Sequence, residues 1–178
     1  MKVFTILIAL LSVTQISFSA ESGKHADDGT NPRACVLKAF KTQVVKLSEL
    51  KSETGIKANK LEELIEEKSS SPVAALVLHQ QYAKYGILFH VYNQQFHHIV
   101  LMKREFQGDE SVDPFKFLAE KKNEKNDFIK KWQTKLKKLP EDANDFENIG
   151  KRREISLGIE GMQSVVKFIE KQFTDCDI

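Results

Sequence analysis

The chain contains two cysteines, Cys35 near one end and Cys176 almost at the other. In an oxidising compartment an even pair with no other partner closes on itself. The alternatives are an intermolecular bridge or a reactive thiol, and neither has a supporting motif, since no C-x-x-C occurs. A Cys35–Cys176 bridge would close a loop of about 140 residues and bring both ends of the fold to one place. Folds whose first and last elements finish at opposite poles are thereby excluded.

That bridge presupposes export, and the N-terminus supplies the signal for it. Lys2 precedes a largely apolar run from Val3 to Phe18, and Ser17 and Ser19 are spaced for cleavage before Ala20, with a cut after Ala20 as the alternative. The run is interrupted by Ser12, Thr14, Gln15 and Ser17 and is shorter than the roughly 20 apolar residues that a membrane span needs. Residues 1–20 therefore read as a signal peptide and 21–30 as a polar, flexible leader. Residues 31–178 then form one domain with one core. No later segment is apolar enough to span, so a secreted, extracellular protein is expected. The formal charge is +2, and removal of Lys2 brings it closer to neutral. Acidic and basic residues are intermixed, which argues against a nucleic-acid partner.

Asn31-Pro32 places a cap residue before a proline at a first helical position. Leu37, Phe40, Val44, Leu47 and Leu50 then recur at helical spacing, and Thr54-Gly55 offers a stop. A second short helix would carry Ile56, Leu61, Leu64 and Ile65 on one side and Glu62, Glu63, Glu66 and Glu67 largely on the other. Ser71-Pro72 repeats the cap-and-proline start. The spacing predicts one long helix from Pro72 to Phe106, with Gly86 as a tolerated internal glycine. Gly108–Asp113 is a turn, and Pro114 opens a helix that Pro140 ends. A last helix begins around Asp145–Ile149. Its residues Ile155, Ile159, Met162, Val166, Ile169 and Phe173 follow a bundle-like 4-3-4-3-4 spacing.

No segment alternates with period two. The pattern thus predicts an all-α, antiparallel up-down-up-down four-helix bundle with a broken first helix and one terminal disulfide. In that topology Cys35 and Cys176 meet at one pole, in agreement with the cysteine argument.

Candidate chemistry is sparse. His79, His90 and His97 share a face of the long helix, with His98 adjoining. Seven helical residues separate ligands by about 10.5 Å, too far for one zinc ion, and neither H-x-x-x-H nor H-E-x-x-H occurs. No metal, cofactor or catalytic residue is expected. Tyr82, Tyr85, Phe89, Tyr92 and Phe96 form an aromatic ladder that fills a core or lines a site for an apolar ligand. Lys151-Arg152-Arg153 after Gly150 reads as a basic helix start, with proteolytic processing as the alternative. Nucleophile-elbow and phosphate-loop motifs are missing. The expected function is a secreted, non-enzymatic binding protein that meets another macromolecule, an extracellular protein, through a helical face. The alternative is an extracellular carrier of a small, lipid-like hydrophobic ligand.

Overall fold

A computed structural model describes residues 31–67, 72–140 and 146–178. The signal-peptide and leader readings and the Ser71 cap lie outside the described residues. Four helices run in order: α1 (Pro32–Glu67), α2 (Pro72–Gly108), α3 (Pro114–Lys138) and α4 (Phe146–Asp175), with no strand among the described residues.

The helix ends follow local chemistry. Asn31 Oδ1 accepts from the Arg33 N–H at 3.0 Å, and Asp113 Oδ1 accepts from the Lys116 N–H at 2.7 Å. Each satisfies a donor that has no partner inside its helix. At the far end of α3 the Leu139 N–H donates to the Leu136 carbonyl, and Pro140 prevents continuation.

The first helix is not broken at Gly55, and α1 runs unbroken from Pro32 to Glu67. No glycine among the described residues adopts a positive φ, so Gly55 does not take the left-handed conformation that a stop requires. The Thr54 hydroxyl donates back to the Leu50 and Lys51 carbonyls, which satisfies that side chain without ending the helix. With the helix continuous, Ile56 turns outward and is exposed, away from the apolar side assigned to it by spacing.

Sequential helices are antiparallel. Lys51 meets Phe96 across α1 and α2, Lys121 meets Glu105 across α2 and α3, and Lys122 meets Glu170 across α3 and α4. The hairpins α1–α2 and α3–α4 are joined chiefly by α2 lying along α4, whereas α1 touches α3 only narrowly. Gly161 permits that approach: a β-carbon there would stand 3.1 Å from the Gln94 Oε1.

The core is concentrated toward the pole where α1 begins and α4 ends. Val36, Phe40, Ile99, Met102, Phe106, Leu118, Met162, Val165 and Ile169 are almost fully buried. At that pole Cys35 and Cys176 form a disulfide with a Cα–Cα separation of 5.7 Å. The Arg33 guanidinium fastens the α2–α3 turn to the same pole. It donates to the carbonyls of Phe106 (2.6 Å), Asp109 (2.8 Å) and Val112 (3.2 Å).

At 1.5 Å per residue α1 and α2 are about 54 and 56 Å long, against about 38 and 45 Å for α3 and α4. The α1–α2 hairpin therefore outruns its neighbour at the pole away from the disulfide. Buried residues in α2 begin at Val91, so the preceding half of that helix has none.

Candidate functional site

Two features occupy the less covered half of the α1–α2 hairpin. The first is an open cleft of about 540 Å³ between α1, α2 and the third turn of α4. Gly55, Ala58 and Asn59 form its α1 side, Tyr82, Ala83, Gly86, Ile87 and Phe89 its α2 side, and Arg153 and Leu157 its α4 side. Small residues at a spacing of three line both helices here, Gly55 and Ala58 on α1 and Ala83 and Gly86 on α2, and leave the space between them unfilled. The gap follows from that.

Of the aromatic ladder, Tyr82 and Phe89 reach this cleft, while Tyr85, Tyr92 and Phe96 do not line it. Lysines of α1 cover two of the others: the Lys57 ammonium stands 5.6 Å from the Tyr85 ring and the Lys51 ammonium 4.7 Å from the Phe96 ring. Tyr92 packs against the core. Burial, with the charges of Glu53 and Glu160 nearby, raises its phenol above the ordinary range. The spacing of the ladder could not reveal Gly55, Ala58, Ala83 or Arg153. The paired small residues were the available signal.

The second feature is an apolar strip. Val73, Leu76 and Val77, spaced i, i+3, i+4 on one helical face, are 75%, 59% and 48% exposed. Scattered exposed apolar residues are ordinary, but a contiguous cluster is the usual mark of a contact surface.

The histidine stripe is dispersed. His79, His90 and His97 are exposed, and His90 contacts Gln94 at 3.1 Å. No group of three or more His, Cys, Asp or Glu is placed to hold a metal ion among the described residues. His98 is half-buried, and its pKa falls from 6.5 to about 4. Burial is the main cause, followed by the positive charge of Lys125 and then His97, with Glu124 opposing. Because the folded pKa is depressed, the unfolded chain binds more protons between pH 6.5 and about 4. Stability must therefore fall as the pH drops through that window. Replacing His98 by Gln is expected to flatten the decline in thermal midpoint between pH 6.5 and 4.5. An unchanged slope in the variant would show that His98 is not responsible. Glu124, held below its ordinary 4.5 by its hydrogen bond to Lys125, acts only at lower pH.

Lys151-Arg152-Arg153 lies within α4, and its three side chains have separate surroundings. Lys151 pairs with Glu147 one turn earlier. Arg152 donates to the Leu139 carbonyl at 2.8 Å and to that of Pro140 at 3.3 Å, tying α4 to the end of α3. Arg153 faces the cleft. Proteolysis at this triplet would first require that turn to unwind.

No helix among the described residues is long and apolar enough to cross a membrane. No family model, curated protein or solved structure matches this chain.

Proposed function

We propose that the protein is a secreted, non-enzymatic binding module that engages an extracellular macromolecule through the outer helical face at the far end of the α1–α2 hairpin. The observation that carries this reading is the strip Val73, Leu76 and Val77, exposed where α1 and α2 outrun the other two helices. The opposite pole is stapled by the disulfide and by Arg33, which leaves this end of the hairpin as the less covered one. A rigid helix face with apolar anchors at i, i+3 and i+4 loses little conformational freedom on binding.

A photo-reactive side chain at position 76 tests the reading, with one at Lys131, exposed on α3, as the control. In the fluid surrounding the secreting cells, position 76 is expected to capture one macromolecule and position 131 is not. Val73→Asp with Val77→Asp should abolish that adduct while leaving the thermal midpoint nearly unchanged, because both residues are exposed. Equal capture from both positions, or capture that survives the Asp pair, would refute the assignment.

A second reading is favoured by the cleft. A 540 Å³ recess with apolar walls lies within the size range of small-molecule sites and suits an extracellular carrier of a small hydrophobic ligand.

A further inference from the structure

The cleft has two properties that a gap left by imperfect packing does not need. The first is Gly86. A glycine inside a helix weakens it, and tight helix packing is the common reason to keep one. Gly158 has that reason, since a β-carbon there would overlap the Trp132 ring, and Gly161 has it against Gln94. At Gly86 a β-carbon would meet nothing within 4 Å. Gly150 in α4 is equally unobstructed, and what sets Gly86 apart is its place in the lining of the cleft, where a side chain would occupy the recess.

The second is Arg153. Its neighbours Lys151 and Arg152 are occupied by Glu147 and by the carbonyls at the end of α3. Arg153 is exposed and makes no hydrogen bond or ion pair among the described residues, which leaves its guanidinium available at the edge of a recess that Ile87, Phe89 and Leu157 make largely apolar. A guanidinium presents paired donors that match the oxygens of a carboxylate or phosphate, and it stays charged throughout the physiological range. Asn59 and Tyr82 add polar groups at the same site.

We propose that the cleft binds a single-chain anionic amphiphile, with its carboxylate or phosphate head on Arg153 and its aliphatic tail over the floor formed by Gly55, Ala58, Ala83 and Gly86. This rests on the carrier reading and adds the sign and position of the ligand's charge. It is independent of the Val73–Val77 strip.

Calorimetric titration of the full secreted chain with laurate, lauryl phosphate and lauryl alcohol, all below their aggregation thresholds, tests it. Both anions should bind saturably, and the alcohol roughly tenfold or more weakly, as expected for loss of a charged hydrogen-bonded pair. Arg153→Gln should reduce the anions to the level of the alcohol. Gly86→Leu should remove binding of all three while keeping helicity and thermal midpoint, because leucine favours helix and meets no obstruction there. Whichever anion binds more tightly identifies the preferred head group. An alcohol that matches laurate overturns the anionic assignment and leaves a neutral carrier, whereas an affinity gap between anions and alcohol that survives Arg153→Gln overturns the placement of the head group on Arg153. Binding that survives Gly86→Leu places the site elsewhere. Failure of all three probes to bind overturns the carrier reading with it.

Discussion

Replacement of both Cys35 and Cys176 by serine is expected to lower the unfolding free energy by about 5 kcal/mol, the chain-entropy value for so long a loop. The bridge joins residues 141 apart, so nearly every configuration of the unfolded domain is restricted by it. Little of the effect should come from the folded state. Arg33 still ties the α2–α3 turn through the Phe106, Asp109 and Val112 carbonyls, and its guanidinium lies 4.4 Å from the Phe106 ring centroid. The folded variant should thus keep its helical content at low temperature. For a domain of this size each kcal/mol corresponds to roughly 2–4 °C, so the thermal midpoint should drop by roughly 10–20 °C. The denaturant m-value should rise as well, because the freed unfolded chain exposes more surface. A loss below about 1 kcal/mol with an unchanged m-value would mean that the unfolded chain is already compact without the bridge.

The sequence pattern specified the bundle well wherever local chemistry and periodicity agreed. Asn31-Pro32 and Asp113-Pro114 begin helices because their side chains satisfy amides at the following turn, whatever the rest of the fold does. Phe40 and Leu47 in α1, and Ile159, Met162, Val166 and Ile169 in α4, are buried as their spacing requires. Glycine was where such reading lost its grip. Gly55 has the right neighbours for a stop, yet it keeps a helical conformation and α1 continues through it along α2. Gly158 has a reason that only the fold shows, the Trp132 ring of α3 that a β-carbon there would overlap. Gly86, by contrast, is the tolerated internal glycine that the spacing predicts, and α2 runs through it unbroken. The pairing of α2 with α4 was equally hidden, because up-down-up-down order fixes directions and leaves open which helices lie side by side. The cleft depends on that pairing. Without α4 beside α2, Arg153 has no place among the residues of the hairpin, and the aromatic ladder gave no hint of it.

Phe40→Ala is expected to cost about 4 kcal/mol, within the usual range for a fully buried phenylalanine. The side chain is completely buried, and its ring lies 6.1 Å from that of Phe106 and 5.6 Å from that of Phe168. One residue of α1 thus holds a ring of α2 and a ring of α4 close to the stapled pole. Truncation removes the burial free energy and leaves a void that the surrounding helices cannot easily close. Their ends are tied by the disulfide and by Arg33. Collapse would require breaking one of those ties. A chemical-denaturation curve measures the loss, and a midpoint shift with an unchanged m-value is the expected form. The disulfide acts mainly on the unfolded ensemble and Phe40 on the native core, but loss of the bridge also frees the helices to close over the Phe40 void, so the two losses should combine to somewhat less than their sum. A triple variant lacking both cysteines and Phe40 should lose more than either parent but less than the roughly 9 kcal/mol of the simple sum, a loss comparable to the 5–15 kcal/mol that holds a typical domain together. At 25 °C it is expected to be largely unfolded by circular dichroism, while each parent remains folded. A well-folded triple variant would show that the pole is held mainly by something other than the bridge and the Phe40 cluster.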